Sequence, residues 1–252
     1  MLGALAALAN LIGGLLIVSS GAHRREAKLL KYLVALGAGF MLAAIFIEIV
    51  PESVALWSDN RGTSVAEGVV GATTLLLAGY LLIQLFEHTV APHFHFGAET
   101  HPEHVIRPSA AYTAIGGLTI HTFFDGVSIA SAFLVNVRVG ILVFIAIMLH
   151  KLPEGFTVAS IMLASGRGAS AARLATYVIG LATLLGVATV TFVQGLAPYT
   201  LPLSAGVTLY VAASDLIPEV NEKEGFRTAI FVFAGVALYY VTDVLLMDLY
   251  AR

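Results

Sequence analysis

The sequence reads His121-Thr-Phe-Phe-Asp-Gly126 within one long apolar run and His150-Lys-Leu-Pro-Glu-Gly155 within the next. Each stretch places a histidine four positions before an acid, so in a helix both side chains project from one face, roughly 5–6 Å apart. An ionisable group inside a membrane helix costs about 2.5–3.5 kcal/mol on insertion scales, and it usually has a partner in a polar interior. The two stretches therefore predict neighbouring membrane helices that share a polar centre.

The composition extends this prediction to the whole chain. Hydrophobic residues make up 58% of the 252 residues and charged residues only 12%, whereas a soluble domain carries about a quarter charged residues. The lipid bilayer is therefore the expected surrounding. A net charge of −3 indicates no nucleic-acid partner. Because the chain has no cysteine, a thiolate metal site is excluded, and any metal must be bound by nitrogen, oxygen or thioether ligands.

Eight apolar runs have the roughly 20 residues that a membrane helix needs. They predict one all-α integral membrane domain over residues 1–252, with a loop at 89–108. In the first run the basic residues follow the apolar residues, so we predict a retained helix and not a cleaved signal peptide. The eight predicted segments lie near residues 2–20, 29–50, 67–88, 109–134, 139–164, 170–195, 200–220 and 228–250.

The basic residues of the short loops predict the orientation of the chain, because cytoplasmic loops carry an excess of lysine and arginine. With both termini extracytoplasmic, the outer side holds only Arg61, Arg138 and Arg252. The predicted cytoplasmic side then holds Arg24, Arg25, Lys28, Lys31, Arg107, Arg167, Arg173, Lys223 and Arg227.

Two motifs each occur twice in the sequence. The second segment ends Glu48-Ile-Val-Pro-Glu52, and the seventh ends Asp215-Leu-Ile-Pro-Glu219. The histidine–acid pair of segments 4 and 5 is the second motif. In the predicted orientation, segments 2 and 7 run in opposite directions, as do segments 4 and 5. Inverted pairs of this kind are how many transporters build a binding site near the middle of the membrane.

Two imidazoles with two carboxylates form a borderline nitrogen and oxygen ligand set, which suits Zn²⁺, Fe²⁺, Co²⁺ or Mn²⁺. The same set suits Mg²⁺ and Ca²⁺ poorly, because both prefer oxygen ligands. An alternative is that each pair merely satisfies its own polar groups within a helix bundle. Two matching pairs on successive helices favour the metal site. The candidate ligands are His121, Asp125, His150 and Glu154.

These motifs resemble the fourth- and fifth-helix signatures of the ZIP family of zinc and iron transporters. The resemblance extends to Gly37-Ala-Gly-Phe-Met-Leu-Ala-Ala44 in segment 2 and to the proline motifs of segments 2 and 7. It implies eight helices in an inverted 3+2+3 repeat, with the metal between helices 4 and 5, and metal movement toward the cytoplasm. It assigns the metal to His121, Asp125, His150 and Glu154, with Met41 as a thioether neighbour.

The sequence departs from that family's two-metal pattern beside the first site. Members with two metals place Asn after the first histidine and an acid after the second, with a further acid in helix 6. Here Thr122 and Lys151 stand at the first two places, and segment 6 has no acid. We therefore expect a mononuclear site with Lys151 as a counter-ion to Asp125 and Glu154. The alternative is that Lys151 turns away from the site.

Further polar groups predict the route of the ion. Glu48 and Glu52 are expected near the outer mouth, and Asp215 and Glu219 near the inner mouth, where they would attract cations. Alternatively, they only end helices near the interface. Five histidines in and beside the 89–108 loop are candidates for transient metal binding, namely His88, His93, His95, His101 and His104.

The sequence thus predicts a transporter that moves a divalent metal toward the cytoplasm by alternating access. Zn²⁺ is the expected substrate, with Fe²⁺, Mn²⁺, Co²⁺ and Cd²⁺ left open, and no cofactor is expected. We predict a multi-pass protein of the inner or plasma membrane and no enzymatic activity. The alternatives are an intramembrane zinc hydrolase that retains its metal and a membrane metal sensor. Small-residue runs such as Gly235-Val-Ala237 leave a homodimer open.

Overall fold

The structure is a computed structural model that describes residues 1–20, 24–89 and 108–250, and it leaves the side chains of residues 20, 24–30, 108, 110, 194, 219–225 and 250 undescribed. Every regular element in these ranges is helical, which confirms the all-α prediction. The α-helices are α1 (Leu2–Ser20), α2 (Arg24–Ala43), α3 (Val50–Arg61), α4 (Val65–Thr89), α5 (Pro108–Val135), α6 (Val137–Ala164), α7 (Ala169–Phe192), α8 (Ala197–Tyr210) and α9 (Ile217–Tyr250).

Seven helices of the described residues are long and apolar enough to cross a membrane. The predicted seventh segment corresponds to α8 and a π-helical turn, Val211–Leu216. Its α-helical part has 14 residues, and a spanning helix needs roughly 20, so α8 crosses only together with that turn. α9 continues through residues 221–227, where the sequence analysis placed a break, because the Glu-Lys-Glu stretch there consists of good helix formers.

Two π-helical turns stand at corresponding places in the chain. The turn Ala44–Ile49 joins α2 to α3, and the turn Val211–Leu216 joins α8 to α9. Each precedes a proline that has no N–H to continue the α-helical ladder, and such bulges occur frequently at functional sites. Glu48 lies in the first turn and Asp215 in the second. The motif that occurs twice in the sequence, an acid three residues before a proline, thus coincides with a π-helical turn at both places.

The helices form two groups of extensive contacts. We call α1, α5, α6 and α7 unit A, and α2 with α3, α4, α8 and α9 unit B. The most extensive helix contacts pair α1 with α6 and α5 with α7 in unit A, and α2 with α9 and α4 with α8 in unit B. Between the units, α6 packs on α2 as α5 packs on α8. This pairing has the symmetry that an inverted 3+2+3 repeat requires.

Reciprocal glycines bring the four main helix pairs close together. In each pair, a Cβ added to either glycine would lie 1.8–2.1 Å from a carbonyl oxygen of the facing helix. Because only glycine permits this approach, the closest packing of the molecule lies within units A and B. The glycine pairs are Gly13 with Gly155, Gly126 with Gly186, Gly39 with Gly235, and Gly79 with Gly206.

Substitution of one of these glycines is expected to destabilise the fold. A Cβ at Gly206 would lie 1.8 Å from the Leu76 carbonyl oxygen, which cannot rotate away as a side chain could. We expect Gly206→Ala to cost about 1–3 kcal/mol and to lower the thermal unfolding midpoint in detergent. Gly195→Ala, where no atom lies within 4 Å of the added Cβ, should leave the midpoint unchanged. Equal midpoints for the two variants would contradict the packing argument.

Candidate metal centre

The two histidine–acid pairs meet between α5 and α6. His121 and Asp125 lie on consecutive turns of α5, and His150 and Glu154 lie on consecutive turns of α6. None of the four side chains is more than 3% exposed. Each can offer one ligand atom such that all four atoms lie within 4.8 Å of one another. The four side chains that the helical spacing assigned to a shared site therefore do lie around one point.

The ring of His150 is oriented by the backbone. Its Nδ1 lies 3.1 Å from the Ala146 carbonyl oxygen, one turn earlier in α6. A carbonyl can only accept a hydrogen bond, so this contact fits a proton on Nδ1, and it turns Nε2 toward the centre, where Nε2 lies 3.4 Å from Asp125 Oδ2. A backbone partner of this kind orients a metal-binding histidine. His150 is therefore prepared to bind a cation through Nε2.

Asp125 contacts both histidines of the centre. Its Oδ2 lies 3.3 Å from His121 Nε2 and 3.4 Å from His150 Nε2. In a tetrahedral zinc site with bonds of about 2.0–2.1 Å, ligand atoms lie roughly 3.3 Å apart. Neither ring nitrogen of His121 has a hydrogen bond partner among the described residues, and neither does Asp125 Oδ1. These buried lone pairs suit a cation.

Lys151 is also part of this centre. It is fully buried, and its Nζ lies 2.6 Å from Asp125 Oδ2 and 2.6 Å from Glu154 Oε2. The Thr122 hydroxyl donates to the other oxygen of Glu154. Both oxygens of Glu154 are therefore engaged, and each keeps a second lone pair with which it could bind a metal. The expectation that Lys151 faces the two acids agrees with this geometry.

The other predicted ligand and pathway residues are spread along the helices. Met41 is fully buried in an apolar cluster of α2, α6 and the second π turn, beside Ala38 and Leu142. Glu52 and Asp215 are partly exposed, and the side chain of Glu219 is not described. The pathway roles of these acids and the thioether role of Met41 stay predictions.

The structure describes one of the five loop histidines. His88 is exposed near the end of α4, and its Nδ1 lies 2.8 Å from the Gln84 carbonyl oxygen. The adjacent Glu87 accepts a hydrogen bond of 2.9 Å from the Tyr210 hydroxyl of α8. The remaining candidates, His93, His95, His101 and His104, lie outside the described residues.

Glu48 belongs to an ionic group that sequence reasoning missed. Arg138 Nη2 lies 2.6 Å from Glu48 Oε1, and Arg138 Nη1 lies 2.5 Å from Asp243 Oδ1. The Tyr239 hydroxyl donates to Glu48 Oε2 over 3.3 Å. Asp243 supplied a signal, because an acid in the middle of an apolar helix requires a partner. The sequence could not indicate which arginine that partner is.

A bundle of membrane-spanning helices that encloses two histidines and two carboxylates is the architecture of a divalent-metal transporter. Comparison with known proteins agrees with this class. The family model described as ZIP Zinc transporter matches residues 104–243, a range that contains the entire centre. This match covers more than half of the chain, which therefore belongs to the ZIP family.

Individual relatives extend the similarity beyond that range. Zinc transporter ZIP9-A of Xenopus laevis is 28% identical over 232 residues, which cover 76% of this chain and 76% of the relative. Zinc transporter YKE4 of Saccharomyces cerevisiae is 22% identical over 251 residues, covering 87% and 72% of the two proteins. Zinc transporter ZIP13 of Pongo abelii is 25% identical over 204 residues, covering 77% and 60%. The prediction of a multi-pass membrane transporter that is not an enzyme is confirmed.

Proposed function

We propose that this protein transports Zn²⁺ toward the cytoplasm through a mononuclear site formed by His121, Asp125, His150 and Glu154. The observation that carries the proposal is the convergence of these four ligands on one buried point, with free lone pairs on His121 and Asp125. The names of the relatives support zinc as the substrate. Fe²⁺, Mn²⁺, Co²⁺ and Cd²⁺ suit the same ligand types, so competition experiments must rank them.

Lys151 is the built-in counter-ion of this site. With both carboxylates ionised and both imidazoles neutral, the ammonium reduces the charge of the centre from −2 to −1. Without that cation, two buried carboxylates would face each other each time the metal left. When Zn²⁺ is bound, the ammonium of Lys151 repels it, and this repulsion favours release of the metal. The lysine thereby lowers the affinity of the four ligands for the metal ion.

The proposed route follows the acids of the two π turns. Glu48 and Glu52 receive the ion at the extracytoplasmic mouth, and Asp215 and Glu219 pass it on at the cytoplasmic mouth. Met41 is a thioether neighbour on the way. His88, His93, His95, His101 and His104 form a transient binding region on the cytoplasmic side. The excess of basic residues in the predicted inner loops supports an orientation in which both termini are extracytoplasmic.

Alternating access is proposed to involve units A and B. The two helices that carry the metal ligands, α5 and α6, both belong to unit A. The reciprocal glycines tie α5 to α7 and α6 to α1, so we propose that unit A moves as one body against unit B. The metal centre lies wholly in unit A and would move with it. A homodimer remains a prediction, but Gly235 is engaged with α2 of the same chain, so a second copy would use another face.

Uptake into proteoliposomes tests the proposal. We expect saturable ⁶⁵Zn²⁺ uptake by the intact chain and a loss of saturable uptake in the variant His150→Ala/Glu154→Ala, because two of four ligands are then missing. Asp59→Ala removes an exposed acid of α3 and should transport normally. An intact chain that binds zinc but moves none would refute transport and favour a metal-retaining function.

A further inference from the structure

Arg138 connects the two units at one end of the molecule. It is the second residue of α6 in unit A, where Asn136 caps the helix by accepting a hydrogen bond from the Val139 N–H. Its guanidinium contacts Glu48 of the first π turn and Asp243 of α9, both in unit B. The side chains of Glu48 and Asp243 are 8% and 13% exposed. Two largely buried carboxylates are thus held by one cation from the opposite unit.

The lysine and the arginine of α6 differ in what they join. Lys151 contacts Asp125 and Glu154, which both belong to unit A. Movement of unit A against unit B would leave these contacts intact. Arg138 contacts acids of unit B only, at 2.5 and 2.6 Å. Because hydrogen bonds weaken steeply with distance and angle, a displacement of a few ångströms between the units would break the Arg138 contacts.

Within the described residues, the position that corresponds to Arg138 in the inverted repeat carries no cation. Ser109 of α5 stands as far before His121 as Arg138 stands before His150. Asp215 occupies the place in the second π turn that Glu48 occupies in the first. Serine has no charge with which to form an ion pair with Asp215. The corresponding position at the opposite end therefore cannot provide the same ionic contact between the units.

We propose that Arg138, Glu48 and Asp243 form an ionic latch between units A and B, which opens whenever the transporter changes state. This inference rests on the proposed function. While the latch is closed, the guanidinium neutralises the acid that is proposed to receive the metal, so opening also frees Glu48 for a cation. The latch sets the rate of the change of state, and the affinity of the centre is set by its own ligands.

The absence of cysteine from the sequence allows a direct test. Ser131 of α5 is fully buried, and its Oγ lies 2.7 Å from Thr200 Oγ1 of α8, in a contact between the units near the same end. We expect Arg138→Gln in a Ser131→Cys background to raise the rate of maleimide labelling at least threefold. The maximal rate of ⁶⁵Zn²⁺ uptake should change at least threefold, while the KM for zinc stays within twofold.

Three further variants separate the latch from a general loss of structure. Arg167→Gln removes an arginine that stacks on Tyr112, and it should label at the rate of the parent. The exchange Glu48→Arg/Arg138→Glu rebuilds a pair of opposite charges across the units and should restore slow labelling. An all-neutral variant, Glu48→Gln/Arg138→Gln/Asp243→Asn, removes the ionic contact without leaving an unpaired acid, and it should label as fast as Arg138→Gln.

The outcomes distinguish the latch from the proposed function. Parental labelling and uptake rates in both Arg138→Gln and the all-neutral variant, with normal zinc transport by the parent, would overturn the latch alone. A parent that transports no zinc would overturn the proposed function and, with it, the role of the latch in a transport cycle. Fast labelling that persists in the charge exchange would also overturn the ionic latch, because the charges would then be irrelevant.

Discussion

Asp125→Asn is expected to lower kcat/KM for zinc uptake by at least about 100-fold, which is the upper end of the loss seen when only an outer partner of a metal ligand is removed. Asp125 Oδ2 lies within 3.4 Å of both histidines of the centre, and its Oδ1 has no hydrogen bond partner among the described residues. The amide has the same shape but no charge, and its nitrogen cannot bind a metal. ⁶⁵Zn²⁺ uptake over a range of concentrations gives kcat/KM.

The loss of a buried charge could also destabilise the fold, so the test requires a second variant. Asp125→Asn leaves the Lys151 ammonium with Glu154 as its one acidic partner among the contacts of the centre. Breaking a buried ion pair on one side costs about 3–5 kcal/mol. In Asp125→Asn/Lys151→Met/Glu154→Gln all three charges of the centre are gone, so no buried charge is left unpaired and the thermal midpoint should recover.

Zinc transport should nevertheless remain lost in that triple variant, because both carboxylate ligands are missing. Asp59→Asn, at an exposed position of α3, controls for the chemistry of the substitution. Near-normal uptake by the triple variant would show that Asp125 and Glu154 stabilise the fold and do not bind the metal.

The centre could be predicted from the sequence because its geometry is local. The spacing of His121 to Asp125 and of His150 to Glu154 determines which helix face each pair occupies. Only the convergence of two consecutive helices then had to be inferred. The repeated proline motif was equally local, since a missing N–H affects the backbone within one turn. A pattern that spans only a few residues affects the structure of those same residues, so it can be interpreted from the sequence alone.

Other features depend on contacts between distant parts of the chain. Asp243 finds its partner 105 residues away, on a helix that the sequence does not identify as its neighbour. The grouping of helices into units A and B depends on which glycines face each other. The sequence shows that glycine is abundant, but it does not show which glycines face each other. The sequence analysis therefore left Gly235 available for contact with a second copy of the chain. The engagement of both Glu154 oxygens depends on side-chain rotamers that spacing does not determine.

Lys151→Met is expected to increase the affinity for zinc at least tenfold and to lower the maximal rate of transport. Methionine has a similar length but no charge, so Asp125 and Glu154 lose an ammonium that lies 2.6 Å from each of them. Unit charges 4 Å apart interact with about 4 kcal/mol at an effective dielectric constant of 20. Removal of a repulsion from a divalent ion is therefore worth more than the 1.4 kcal/mol that corresponds to tenfold in affinity.

Equilibrium dialysis with metal analysis measures both the affinity and the number of ions bound per chain. Lys31→Met removes a partly exposed lysine of α2 and should leave both quantities unchanged. Lys151→Asp with Thr122→Asn supplies two of the three oxygen ligands of the two-metal pattern given in the sequence analysis, and we expect it to bind two ions where the parent binds one. The lower maximal rate follows because an ion that is held more tightly leaves the centre more slowly. An unchanged affinity in Lys151→Met would mean that the lysine turns away when the metal binds, and Lys151 would then stabilise only the metal-free centre.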